Sequence, residues 1–70
     1  MKETWYIFDS DARIINENEG IEDKFEAIED FKSRYPEEEA RENGFTLCQI
    51  LEDDNCFYEC LCELTADDIY

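Results

Sequence analysis

A run of β-favouring residues near the N-terminus and a period of two in the second half of the chain predict strands in both places. Residues 4–8 form a first strand, and residues 13–15 form a short second strand. The polar turn cluster Asp9–Asp11 joins them as a hairpin. A second hairpin is expected later, with strands at residues 45–51 and 56–64 around an acidic turn at residues 52–55.

Between the two hairpins the apolar period changes to that of a helix. From Ile21 the apolar positions fall on one helical stripe through Phe25 and Ile28 to Tyr35, where Pro36 ends the helix. A short second helix is expected to begin at Pro36 and to stop before Gly44. The last seven residues carry a capping signature, but we expect too little chain after it for a helix.

The predicted order of elements is ββα(α)ββ, which defines an α+β fold. We expect a small antiparallel sheet made from two hairpins, with the main helix packed on one face. Seventy residues are enough for one domain, so residues 1–70 are read as a single compact acidic unit.

The second hairpin is predicted to have two unlike faces. One face is nearly uncharged and is expected to form the core; it comprises Phe45, Leu47, Gln49, Leu51, Cys56, Tyr58, Cys60, Cys62 and Leu64. The other face mixes carboxylates with apolar groups; it comprises Thr46, Cys48, Ile50, Glu52, Phe57, Glu59, Leu61 and Glu63. Three buried carboxylates without bases would be costly, so this second face is expected to be exposed. The alternative is partial cover by the N-terminal hairpin or the tail.

Net charge narrows the class of partner. The chain has 21 acidic residues, 6 basic residues and no histidine, which gives −15 at pH 7. The second half is the more acidic, since residues 36–70 hold 11 acids and only Arg41 as a base. A protein that binds nucleic acid or an anionic membrane directly needs the opposite sign. The expected partner is therefore basic, although a halophile-like surface or an acidic surface without a role remain alternatives.

The cysteines are read as structural. Their spacing, C-x7-C-x3-C-x-C, lacks the paired knuckles of structural zinc sites. The acidic clusters near the N-terminus do not continue into a calcium-binding loop. With no histidine, no activated nucleophile and no glycine-rich phosphate loop, the sequence predicts neither a cofactor nor enzymatic activity.

The candidate contact residues are the carboxylates of the two helices and the second hairpin, with two apolar neighbours. Rows of carboxylates can occupy sites that a nucleic-acid-binding protein keeps for phosphates. The proposed set is Glu22, Glu26, Glu29, Asp30, Glu37, Glu38, Glu39, Glu52, Asp53, Asp54, Phe57, Glu59, Leu61 and Glu63.

In size, charge and layout the chain resembles the small acidic DNA-mimic inhibitors of phages and mobile elements, which include anti-CRISPR, anti-restriction and uracil-DNA glycosylase inhibitor proteins. The likeness covers the whole chain and depends on no motif. It implies a protein that occludes the basic DNA- or RNA-binding groove of a nuclease, CRISPR effector or restriction effector, without chemistry. We expect the protein to be a monomer or a homodimer.

Two other functions fit the sequence. One is an acidic adaptor or antitoxin-like regulator that binds a basic protein away from any nucleic-acid site, and the other is a cysteine-based metal-binding module. No signal or membrane segment is visible in the sequence. We therefore expect a cytoplasmic protein, in the host cytoplasm if a phage encodes it.

Overall fold

Three antiparallel strands and three helices make up the fold of the chain. The computed structural model describes residues 2–53 and 56–70, with backbone only at residues 57 and 58. In chain order the elements are β1 (Lys2–Phe8), α1 (Lys24–Arg34), α2 (Glu37–Asn43), β2 (Thr46–Glu52), β3 (Phe57–Leu64) and α3 (Ala66–Ile69). The sheet order is β1-β2-β3, so β2 is central and the fold class is α+β.

The predicted first hairpin is wrong, because residues 13–15 do not form a strand. In the described part of the chain the sheet has three strands, and Ile14 makes only an isolated bridge to Phe8. The chain turns at Ala12, whose φ is 62°, touches the edge of β1, and returns at Ile21 to bridge Trp5. The two apolar residues Ile14 and Ile15 are too few to form a ladder with β1. The backbone N–H of Ile7 is bound by the side-chain oxygen of Asn16 and not by a backbone carbonyl.

Helix α1 begins later than the apolar period indicates. Asp23 is its N-cap, and the Asp23 carboxylate accepts a hydrogen bond from the backbone N–H of Glu26 at 2.9 Å. Ile21 lies outside the helix because both its backbone groups pair with Trp5. The predicted end is confirmed, since Tyr35 is the C-cap before Pro36.

The buried stripe of α1 also differs from the predicted one. Ala27 and Phe31, at i and i+4, are buried at 2% and 0% exposure, whereas Phe25 is 75% exposed. Ile28 and Tyr35 pack at the margin of the core. Small Ala27 allows the helix backbone to approach the sheet, and this phase turns Phe25 toward solvent.

The two short helices, α2 and α3, pack on the same face of the sheet as α1. Gly44 ends α2 in the left-handed region, with φ 68°, as the sequence predicts. The expectation that the tail is too short for a helix is wrong. Thr65 and Asp68 form a capping box that starts α3, and the burial of Ala66 and Ile69 holds this single turn in place.

The main core lies between the helices and one face of the sheet. It contains Trp5 and Ile7 from β1 and Leu47 from β2, together with residues of all three helices. These helix residues are Ala27, Phe31, Ala40, Ala66 and Ile69. Cys62 and Leu64 of β3 pack against this cluster.

A second, smaller cluster lies on the opposite face of the sheet. Tyr6, Cys48 and Ile50 are buried there at 4–6% exposure, with Phe8 and Ile14 packed against them. The prediction that this face is exposed is therefore wrong for β2. The predicted alternative, partial cover by the N-terminal segment, describes the structure better.

Two register shifts in the β2–β3 ladder change which way the cysteines point. They fall between Gln49 and Ile50 and between Leu51 and Glu52. Ile50 therefore pairs with Cys60, whereas uninterrupted pairing from Gln49–Cys62 would place Leu61 there. All four cysteines are free, but only Cys48 is buried, and Cys56 and Cys60 are exposed. The prediction that the cysteines of β3 form a buried inner face is therefore wrong.

Candidate interaction surface

The segment after β1 folds back over the second face of the sheet. Its entry turn is held by Asp9, whose carboxylate accepts from the backbone N–H groups of Asp11 and Arg13 at 2.9 and 3.0 Å. Further along, Asn16 is 5% exposed and accepts from the backbone N–H of Ile7 at 2.8 Å. These contacts fix the segment against β1 and leave the β2–β3 half of this face less covered.

Beneath this segment, Glu52 is buried and is not available to a partner. The residue is 5% exposed, and the hydroxyl of Tyr6 lies 2.9 Å from both of its carboxylate oxygens. Burial raises the pKa of Tyr6 to about 12, and the hydrogen bond to Glu52 and the charges of Glu52 and Glu17 contribute to this rise. The predicted place of Glu52 on the contact surface is wrong. One hydrogen-bonded carboxylate can be buried where three could not.

A shallow groove runs along the open half of the second face. One section has a volume of about 540 Å³, and an adjoining section, which shares Phe8, Ala12, Ile50 and Cys60, has about 400 Å³. Phe8, Ile14 and Ile50 give the first section apolar walls. Glu17 and Glu59 bring two carboxylates to it, and Arg13 brings one guanidinium. The groove therefore combines apolar surface with negative charge.

Cys48 lies in this groove but is not poised for nucleophilic chemistry. Burial raises the pKa of the Cys48 thiol to about 12; a hydrogen bond with Thr46 opposes this rise, and the neighbouring Cys60 and Glu63 add to it. The thiol thus stays protonated near neutral pH and contributes packing at the wall of the groove.

The carboxylates of α1 are largely balanced by bases on the same helix. Glu26, Glu29 and Asp30 stand beside three cationic residues, Lys24, Lys32 and Arg34. Arg34 pairs with Asp30 at 2.9 Å and also with Glu19. Glu22, Glu26 and Glu29 are exposed, as the sequence predicts, but α1 itself carries no net negative charge.

Helix α2 retains its negative charge. Arg41 pairs with Glu37 at 2.8 Å and with Asp67 of α3 at 2.5 Å, so its positive charge is engaged within the protein. Glu38 and Glu39 are exposed, and in residues 2–53 and 56–70 neither makes an ion pair. This end of the molecule is strongly acidic.

The remaining predicted contacts belong to the second hairpin. Glu59 and Glu63 are exposed on β3, and Leu61 between them is 42% exposed. The carboxylate of Asp53 accepts from the backbone N–H of Cys56 at 3.0 Å, which shapes the turn. Asp54 and the side chain of Phe57 lie outside the described residues.

Two features of the surface differ from what the sequence pattern indicates. The apolar period places Phe25 in the core, although this side chain is exposed near the helical carboxylates. No sequence pattern indicates the groove, since it depends on the path of residues 9–17 across the sheet. The one available signal for the phase of α1 is Ala27, whose small side chain can occupy a close helix–sheet contact.

Three further findings concern the described residues. They include no group of three or more Cys, Asp or Glu side chains placed to hold a metal ion. None of their helices has the length and apolar character needed to cross a membrane. Comparisons with protein-family models, curated protein sequences and solved structures find no match to the chain.

Proposed function

We propose that the protein is an acidic inhibitor that occupies the basic nucleic-acid-binding surface of another protein. The target class is a nuclease or a CRISPR or restriction effector in the cytoplasm. The protein acts by occlusion, with no reaction of its own. It contacts the target through exposed carboxylates of α2 and β3 and through apolar groups beside them.

The observation that carries this proposal is the charge carried per length of the molecule. Its longest dimension is 34 Å, and its net charge is −15. Duplex DNA carries one negative charge per about 1.7 Å of axis, so the same length of duplex carries about 20 charges. The two charge densities are similar, which is what competition for a phosphate-binding groove requires.

The placement of charges supports the same function. Among the described acidic residues Glu52 alone is buried, so nearly all of the negative charge faces solvent. Two of the six bases, Arg34 and Arg41, are each held in two ion pairs within the protein. A target rich in lysine and arginine would be attracted over long range, at a rate that falls with ionic strength.

Competition with nucleic acid tests this function. The immobilised protein is used to capture binding proteins from a cell lysate at low salt, and the bound fraction is then challenged with duplex DNA or with RNA. We expect nucleic acid to release the captured protein, and we expect the nuclease activity of that protein to fall as inhibitor is added. A complex that saturating nucleic acid leaves intact would refute mimicry and favour an adaptor that binds elsewhere.

A charge-matched pair of variants sharpens the experiment. The double variant Glu38→Gln/Glu39→Gln removes two exposed charges from α2, whereas Glu26→Gln/Glu29→Gln removes two exposed charges from α1, whose acids are balanced by its own bases. We expect the first variant to lose more affinity than the second, and the salt dependence of its binding to become shallower. Equal losses would show that net charge alone, and not the α2 surface, determines binding.

A further inference from the structure

The two edges of the sheet are treated differently by the chain. On the outer edge of β1, the backbone N–H and C=O groups of Trp5 pair with those of Ile21 at 2.7 and 3.1 Å. The next outward residue, Ile7, donates its N–H to the side chain of Asn16 and accepts from the N–H of Ile15, both at 2.8 Å. The chain therefore closes this edge with its own backbone and one side-chain amide.

The outer edge of β3 has no such cover in the part of the chain that the structure describes. β3 is the terminal strand of the sheet, and none of the described strands or isolated bridges pairs with its far side. Alternate residues of an edge strand direct their N–H and C=O groups away from the sheet, ready to pair with another chain. Eight residues give this edge a length of about 26 Å.

Proteins usually protect such an edge with lysine, proline or bulges. The sequence of β3 contains neither lysine nor proline. Its register shifts increase the local twist, but they supply no backbone partner for the outer edge. Leu61, 42% exposed, lies at the centre of the strand. The edge is therefore available to a strand that can follow its twist.

Charge selects the occupant of this edge. Glu59 and Glu63 are exposed on β3, two residues to either side of Leu61. Glu63 pairs with Cys48 and Glu59 pairs with Leu51, so the register shift at Leu61 places the two carboxylates on opposite faces of the edge. A second copy pairing along this edge would bring its own Glu59 and Glu63 beside those of the first copy. Like charges directly opposite each other destabilise a strand pair, and each copy also carries −15. A strand that carries basic residues near Glu59 and Glu63 would instead be attracted to this edge.

We propose that the outer edge of β3 binds an extended, basic segment of the target protein as a fourth strand of the sheet. Backbone hydrogen bonds would hold the segment, its basic side chains would meet Glu59 on one face of the sheet and Glu63 on the other, and an apolar side chain would cover Leu61. This inference rests on the proposed function, because it names the part of the target that the acidic surface recognises.

A synthetic peptide tests the edge directly. The probe is an eight-residue peptide with blocked ends in which pairs of arginine alternate with pairs of valine, so that both faces of the extended peptide carry arginine. Its control has the same side chains but carries an N-methyl group on every backbone amide, so that neither edge of the control can donate hydrogen bonds to β3. We expect the probe to slow amide hydrogen exchange in β3 and to bind about tenfold or more tightly than the control. Equal binding of both peptides would show attraction by charge without strand addition and would overturn the proposal.

Two variants of equal charge locate the contact. Glu59→Lys/Glu63→Lys and Glu38→Lys/Glu39→Lys each raise the net charge by the same amount, but only the first alters β3. We expect the first to weaken peptide binding at least tenfold more than the second, with both proteins still folded by circular dichroism. Similar losses in both variants would place the contact away from the edge.

Two further outcomes separate this proposal from its alternatives. Sedimentation over a range of protein concentrations should show a monomer. Dimers that the substitution Leu61→Lys abolishes would show instead that a second copy of the protein binds the outer edge of β3. If nucleic acid displaces the protein from its target but the peptide gives the β3 amides no protection from exchange, strand addition is rejected and the proposed function is kept. Protection of β3 by the peptide without nucleic-acid competition would keep the edge site and reject mimicry.

Discussion

The hydroxyl of Tyr6 lies 2.9 Å from both carboxylate oxygens of Glu52, a residue 46 positions away in the sequence. The two residues lie on adjacent strands, and both are nearly inaccessible to solvent. A chain with a net charge of −15 thus buries one of its carboxylates against a phenol. Loss of the hydroxyl would leave a buried carboxylate without this donor.

We expect Tyr6→Phe to destabilise the fold by about 1–3 kcal/mol, because it removes the hydroxyl donor from a buried carboxylate. Urea denaturation followed by circular dichroism would measure the change. In a Glu52→Leu background the same substitution should cost less, since no carboxylate is left without its donor. Equal losses in the two backgrounds would show that the hydroxyl stabilises the protein through another contact.

Alkaline pH should destabilise the protein through Tyr6. The pKa of this residue rises from 10.0 to about 12 in the folded protein, so folding favours the protonated phenol. Its contribution is complete below pH 10 and is lost as pH rises toward 12. Thermal unfolding across this range should show a falling midpoint, with a shallower fall in Tyr6→Phe. In Tyr6→Phe the melting temperature should still fall somewhat with pH, because the pKa of the buried Cys48 thiol is raised from 9.0 to about 12. The same slope with and without the tyrosine hydroxyl would contradict the assignment.

Gly20 is required for the segment that covers Tyr6. A Cβ atom at this position would lie 2.7 Å from Cε1 of the Tyr6 ring and would also collide with Thr4. We expect Gly20→Ala to cost about 1–3 kcal/mol, as overpacking does elsewhere. Asn18→Ala, an exposed change in the same segment, is the control and should cost less than about 0.5 kcal/mol. A loss equal to that of the control would show that the segment lies farther from β1.

Asn16 should protect the edge of β1. Asn16→Ala leaves the N–H of Ile7 without its acceptor, whereas Asn16→Asp keeps an oxygen in reach. We expect the alanine variant to lose about 1–3 kcal/mol and to exchange the Ile7 amide hydrogen faster, with a smaller effect on exchange in the aspartate variant. Hydrogen exchange measured by NMR resolves this single amide. Unchanged protection in Asn16→Ala would mean that the edge is closed in another way.

The phase of α1 can be tested with two phenylalanines. Phe31 is fully buried, and Phe31→Ala should cost about 3–5 kcal/mol, enough to unfold much of a small domain. Phe25 is 75% exposed, and Phe25→Ser should change stability by less than about 0.5 kcal/mol. Thermal melts of both variants provide the comparison. A large loss of stability in Phe25→Ser would show that Phe25 is buried, as the apolar period predicts. If Phe25 also contacts the target, its substitution will weaken binding without weakening the fold.

Features that depend on local chemistry could be read from the sequence. The strand at residues 4–8, the end of α1 before Pro36, the stop of α2 at Gly44 and the two strands around the acidic turn all follow from residues close in sequence. The acidic character of the surface was equally accessible, because charge is a property of composition. These features determine the α+β class and the negative sign of the surface charge.

What the sequence could not decide depends on contacts between distant residues. Pairing with Trp5 takes Ile21 out of α1 and so shifts the start of the helix, and two bulges redirect Cys60, although neither feature has a local signal. Burial of Glu52 is too costly by any local argument, because the donor that makes it tolerable comes from the other end of the chain. The charge of the surface was thus set by composition. Which carboxylates reach solvent was decided by tertiary packing, since burial and hydrogen bonding depend on neighbours that only the folded chain brings together.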